Sequence, residues 1–167
     1  MVQQYLQPKA VLDVGAAYGF VVGQLGALGV RASGFDISPY AVSQKGRYDI
    51  WVGSADDPAA YRQTDLILAT ELAECLTPEQ ATTFLTVARN FGQRMLLLIC
   101  IDLDPDADGR KTAIDPNDQS HINVRPMWWW RNLAVEAGWK LGDAVRFNED
   151  RRSETMSWAG RFLLLER

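Results

Sequence analysis

Short apolar runs alternate with longer mixed stretches along this chain, and most are closed by turn-forming residues. Ala10 to Val14 is apolar except for Asp13 and is followed by small residues. A run this short predicts a strand rather than a helix. A helix is expected from Gly19 to Leu28, with Gly29 as its stop. A second strand is expected at Ala32–Phe35, then Ser38 as an N-cap with Pro39 at the first helical position. Strands three and four read as Tyr48–Val52 and Asp65–Ala69. Thr77-Pro78-Glu79-Gln80 is a capping box opening a helix to Asn90, with Gly92 closing it. Strand five is Met95–Ile101, and Pro126 opens a helix that ends at Gly138. Two last strands, Lys140–Phe147 and Ser157–Leu165, are separated by the short polar segment Asn148–Glu154. That spacing favours an antiparallel hairpin over another parallel crossover. Strands alternating with helices predict a Rossmann-like, doubly wound α/β sheet, mostly parallel. Residues 1–167 read as one domain without repeat or linker.

Two acids stand where ligands bind in such sheets. Asp13 precedes the turn Gly15-Ala16-Ala17-Tyr18-Gly19, and Asp36 ends the second strand. A dinucleotide fingerprint would want glycines at 15, 17 and 20, but Ala17 and Phe20 occupy two of these positions. Asp13 would also repel a pyrophosphate, which seeks the positive end of a helix. The ammonium and sulfonium of S-adenosylmethionine would instead be attracted to it. Asp36 is placed to accept from two ribose hydroxyls. The plainer alternative is that the glycines only permit a tight turn and that Asp36 caps a helix.

Asp13-x-Gly15-x-Ala17-x-Gly19 resembles motif I of the class I S-adenosylmethionine-dependent methyltransferases, with Ala17 at the usual middle glycine. Ser54-Ala55-Asp56 resembles the segment that reads adenine. Asp65 to Leu76 resembles motif IV and its loop, with Cys75 where many relatives have histidine. His121 to Arg125, with Trp129 and Ala137-Gly138-Trp139, resembles the region after strand five in small-molecule methyltransferases. The resemblance implies a seven-stranded sheet ordered 3-2-1-4-5-7-6 and S-adenosylmethionine as cofactor. It implies that Gly15, Ala16 and Gly19 admit the methionine portion and that Ile37 covers adenine. Asp56 and Ala55 would contact the adenine edge, with capping as the alternative role for Asp56. Glu71 and Leu72 would border the sulfonium. His121, the single histidine, is the candidate base if the acceptor is a hydroxyl; loop anchoring or stacking on a tryptophan is the alternative. Glu71 and Glu74 are reserves, Glu74 more as an orienting or arginine-pairing group. The expected activity is methylation of a small molecule on oxygen, in a biosynthetic or sugar-modifying pathway. A non-catalytic relative that binds S-adenosylmethionine or S-adenosylhomocysteine is the alternative.

Composition narrows the partners. A net charge of −4 without a basic run argues against a nucleic-acid footprint. The longest apolar run, Leu96–Ile101, is far short of a membrane span. Two cysteines suggest no disulfide framework, and with no evident leader the cytoplasm is the simplest compartment. Only Met1–Lys9 precede strand one and no cap domain is evident, so the cofactor site is expected to be open, loop-covered or completed in a homodimer. Asp104, Asp106, Asp108 and Asp115 approximate a calcium loop, but Lys111 and Asp115 depart from it. Solvated aspartates in a mobile lid over a small-molecule acceptor are the preferred reading, and no metal site is expected. Of Trp128-Trp129-Trp130, Trp129 shares a helix face with Leu133 and Ala137 and is the expected core residue.

Overall fold

The computed structural model describes residues 2–102, 119–144 and 160–167. Its elements are α1 (Val2–Tyr5), β1 (Ala10–Val14), α2 (Phe20–Ala27), β2 (Arg31–Asp36), α3 (Pro39–Ser43), β3 (Ile50–Val52), β4 (Thr64–Thr70), α4 (Pro78–Arg89), β5 (Gly92–Cys100), α5 (Met127–Glu136), β6 (Lys140–Leu141) and β7 (Gly160–Glu166). Pro58–Ala60 and Ala73–Cys75 form 3-10 turns. The strands make one sheet ordered β3-β2-β1-β4-β5-β7-β6. β1 through β5 pair in parallel, and β7 runs antiparallel to both β5 and β6.

Both faces of the central strands are buried, as the near-continuous apolar runs require. Side chains alternate between the faces. Leu12, Val14, Ile67, Met95 and Leu97 join Phe84, Leu85, Trp130 and Trp139 in one core. Val11, Leu66, Leu68 and Leu96 join Leu25 in the core on the other side. The capping box holds α4 as expected: Gln80 N–H donates to Thr77 Oγ1, and Thr77 N–H donates to Gln80 Oε1. Ser38 Oγ likewise accepts from Ala41 N–H under Pro39.

Several expectations change. Residues ahead of β1 include a helical turn, α1, and Val2, Tyr5 and Leu6 pack on the second core. Arg94 Nη2 donates to Leu6 O at 3.0 Å and ties this segment to β5. Gly92 opens β5 rather than closing α4; a Cβ there would lie 2.8 Å from Ile67 Cδ1, so the residue is small for sheet packing. In α5 the buried ring is Trp130, not Trp129. Both Trp129-Leu133-Ala137 and Trp130-Ala134 are apolar lines along the helix, and the core takes the latter. Trp129 is half-buried, edge-on to Trp130 at 4.8 Å, with the Arg125 guanidinium 5.3 Å from its ring centre. Trp128 is half-exposed. The aspartates at 104–115 and the whole polar segment 148–154 lie outside the described residues. Among the described residues, no helix is long and apolar enough to cross a membrane.

Candidate functional site

The carboxyl edge of β1 and β2 is built by two interlocked turns. Gly15 leaves β1 with φ +78°, a left-handed conformation that glycine adopts without strain. Its N–H and that of Ala16 both donate to Phe35 O at 2.9 Å, which pins the first turn to the end of β2. Ala17 is also left-handed, with φ +46°. Its N–H donates to Asp36 Oδ2 at 2.8 Å, while Ser38 N–H donates to Asp36 Oδ1 at 2.8 Å. Asp36 is therefore held by one backbone donor from each βα turn. A carboxylate offers about four lone-pair sites, so it retains acceptor capacity toward a ligand.

Asp13 lies behind this turn and is almost fully buried. Its Oδ1 has no hydrogen-bond partner in the structure. Burial, and secondarily the negative field of Asp36, pushes its carboxyl up to about 7. The packing admits no bulk nearby. A Cβ on Gly34, which pairs with Asp13, would lie 2.7 Å from both Asp13 O and Ala16 Cβ. Gly19 (φ +82°) caps α2, and a Cβ there would come within 3.0 Å of Tyr48.

Gly15, Asp36, Ile37, Ala55, Asp56 and Leu72 line one cleft, of about 460 Å³ counted out to its open mouth. Leu72 closes over Gly15, with Cδ1 3.2 Å from where a Cβ would stand. Ile37 is 70% exposed on the rim of the cleft. Tyr61 OH donates to Ala55 O at 2.6 Å and supports the far wall from below. Burial and the Asp56 carboxylate push that phenol above its usual range. Asp56 accepts from Ser54 Oγ. The helix-capping role weighed for Asp56 falls to its neighbour: Asp57 accepts from Ala59 N–H and caps the turn at Pro58. Asp56 thus remains on the cleft wall.

The other singled-out residues lie around the cleft rather than on its wall. Asp13 and Ala16 sit beneath it, and Gly19 starts α2. Glu71 follows β4 with φ +56°, exposed, its N–H donating to Leu98 O at 2.9 Å. Sequence reasoning missed Leu76 and Gln80 as lining residues. Gln80 was legible only as the capping-box partner of Thr77, which it also is. His121 falls outside this cleft and beside Glu74 and Cys100. Glu74 anchors the neighbourhood: Oε1 accepts from Cys100 N–H at 2.9 Å, and its backbone O accepts from Asn123 N–H at 2.9 Å. It therefore orients the segment after β5, one of the roles considered for it.

The fold is that of the class I methyltransferases. A TehB-like SAM-dependent methyltransferase from Corynebacterium glutamicum matches with a TM-score of 0.69 at 14% identity, covering 95% of this chain and 80% of that one. A SAM-dependent methyltransferase from Archaeoglobus fulgidus matches with 0.69 at 13% identity, covering 99% and 91%. An O-methyltransferase of a trans-AT PKS multienzyme from Brevibacillus brevis, in complex with S-adenosyl-L-homocysteine, matches with 0.68 at 14% identity, covering 98% and 68%. Identity this low makes the likeness one of fold. No protein-family model matches the chain, and no curated protein matches it in sequence.

Proposed function

We propose that this chain is an S-adenosylmethionine-dependent methyltransferase acting on a small molecule, with oxygen as the methyl acceptor. The observation that carries the reading is the open cleft between the Gly15 turn and the Asp36 carboxylate, at the carboxyl edge of a methyltransferase-type sheet. Asp36 accepts from the ribose hydroxyls, Ile37 and Leu72 sandwich the apolar parts of the nucleoside, and Asp56 with Ala55 meets the adenine edge. Asp13, beneath the Gly15 turn, supplies negative potential to the ammonium and sulfonium. The solved O-methyltransferase of this fold with bound S-adenosyl-L-homocysteine supports the cofactor class.

The reaction is an in-line displacement. When bound, S-adenosylmethionine would supply an activated methyl group: an acceptor oxygen would take the methyl carbon as the carbon–sulfur bond breaks, with S-adenosylhomocysteine as the neutral leaving thioether. The donor is already activated, so positioning and exclusion of water supply most of the rate. The acceptor hydroxyl must lose a proton, and His121 is the proposed base. Calorimetry with S-adenosylmethionine and S-adenosylhomocysteine, followed by labelled-methyl transfer to a panel of hydroxylated acceptors, tests the reading. Micromolar binding, about −8 kcal/mol, with transfer to oxygen is expected. Tight NADH binding without S-adenosylhomocysteine binding would remove it. Cofactor binding with no transfer to any acceptor would leave a non-catalytic binder.

A further inference from the structure

Three residues distant in sequence converge at the ends of β4 and β5. Glu74 comes from the 3-10 turn after β4, Cys100 is the last residue of β5, and His121 lies on the segment leading to α5. One ligand atom from each, a carboxylate oxygen, a thiol sulfur and an imidazole nitrogen, lies within 4.8 Å of the other two. Glu74 is 0% and Cys100 2% exposed, whereas His121 is half-buried. The first two ligands are thus interior, and His121 Nδ1 is itself buried although the residue as a whole is partly exposed.

We propose that Glu74, Cys100 and His121 form a divalent transition-metal site, selective for zinc. The donor set argues for the metal. Thiolate and imidazole together favour zinc over magnesium or calcium, which want oxygen alone. Three protein ligands with a fourth position open is the arrangement of a reactive rather than a closed structural zinc site. Bonds of about 2.0–2.3 Å in tetrahedral geometry would put the ligand atoms roughly 3.3–3.6 Å apart. Half-exposed His121 can supply the closure by a side-chain adjustment. Backbone bonds already brace the site: Cys100 N–H to Glu74 Oε1, Asn123 N–H to Glu74 O, and Asp102 N–H to Arg125 O at 3.2 Å. They fix the strand end and the His121 segment against each other before any ion arrives. Binding ionises the thiol: a Cys100 sulfur–metal bond forms, the S–H bond breaks, and one proton passes to buffer.

The inference deepens the methyltransferase reading, on which its catalytic meaning rests. Without metal, His121 is the proposed acceptor of the substrate's proton. With metal, His121 is a ligand, and a hydroxyl placed at the fourth position is acidified by the ion itself.

Cobalt(II) is the probe. The full chain, stripped with chelator and reduced, is titrated with cobalt and then zinc. One equivalent of cobalt should bind with a near-ultraviolet thiolate-to-cobalt absorption band, which zinc displaces, and zinc should raise the melting temperature. Cys100→Ser should abolish the band and weaken binding about 100-fold or more, while Cys75→Ser should retain both. His121→Gln, a near-isosteric change whose fold is checked by circular dichroism, should weaken binding comparably. Absence of the band in folded wild-type protein overturns the proposal, as does a band that survives Cys100→Ser. S-adenosylhomocysteine binding is measured separately on the same samples. Its absence overturns the methyltransferase reading, whereas the cobalt titration decides the metal site.

Discussion

If the proposed cofactor pose is right, binding should expel a proton from Asp13. The carboxyl is buried, lacks a partner at Oδ1 and is pushed up to about 7, first by burial and then by Asp36. At pH 6 it would be roughly 90% protonated in the free protein, and at pH 8 roughly 10%. A cofactor cation about 5 Å away in an effective dielectric near 20 contributes about 3 kcal/mol, or roughly 2 pKa units, toward the ionised form. Calorimetry of S-adenosylmethionine binding in buffers of different ionisation enthalpy reads this directly. About 0.8 proton should be released per cofactor at pH 6 and about 0.1 at pH 8. Asp13→Asn should abolish the release and cost most affinity at pH 8, where wild type is already ionised. Stability should move in step. A carboxyl whose folded-state value lies above its unfolded value of 3.8 holds its proton longer in the folded state. Stability therefore falls as pH rises from about 4 to 7, by about 4 kcal/mol for a shift of this size. Asp13→Asn should flatten that decline. Heats independent of buffer, or a proton release that persists in Asp13→Asn, would refute the placement of the cation beside Asp13.

Asp36→Ala should weaken S-adenosylhomocysteine binding by about 1.5–3 kcal/mol in calorimetry, because charged hydrogen bonds are lost and the Ala17 and Ser38 donors are released. Gly34→Ala should destabilise the chain by about 1–3 kcal/mol in urea unfolding, since the new methyl meets Asp13 O and Ala16 Cβ at 2.7 Å; an unchanged midpoint would mean the two turns are not packed as described. Trp130→Ala should cost about 3–5 kcal/mol in the same assay, and half-exposed Trp128→Ala much less; the reverse order would contradict the burial of α5. Thr77→Ala should cost about 1 kcal/mol by removing the α4 cap, with cofactor affinity unaltered.

What was legible followed from short-range rules. Asp13, Gly15 and Asp36 could be placed because a strand ending in a small-residue turn fixes where its tip residues point, whatever the rest of the chain does. Ser38 and Thr77 were readable as caps because a cap is a contact across about three residues. Ambiguity came where two local patterns were equally good. Asp56 and Asp57 both precede Pro58, and the Asp57 carboxylate, accepting from Ala59 N–H, takes the capping role that was only the alternative for Asp56. Trp129 and Trp130 each head an apolar line in α5, and the choice depends on how the helix rolls against β5 and β7, which no local rule contains.

The convergence of Glu74, Cys100 and His121 escaped for a different reason. No motif spans these positions, and each residue alone has a modest reading: a loop anchor, a buried thiol, a general base. Their meeting is set by strand register. Thr70 pairs with Leu98, and Glu71 N–H reaches Leu98 O, so the turn leaving β4 folds over the last residues of β5. Glu74 then takes the Cys100 N–H, and Asn123 N–H returns to Glu74 O, which draws His121 in. Each bond is local in space and remote in sequence. Parallel β4 and β5 bring their carboxyl ends to the same edge, so chemistry-bearing residues just beyond those ends become neighbours however far apart they stand in the chain. Combining the expected sheet order with that edge rule would have placed Glu74 near Cys100. It would not have chosen between them as ligands and as packing, because that depends on how closely the side-chain atoms approach, and their lying within 4.8 Å of one another is the observation on which the proposed metal site rests.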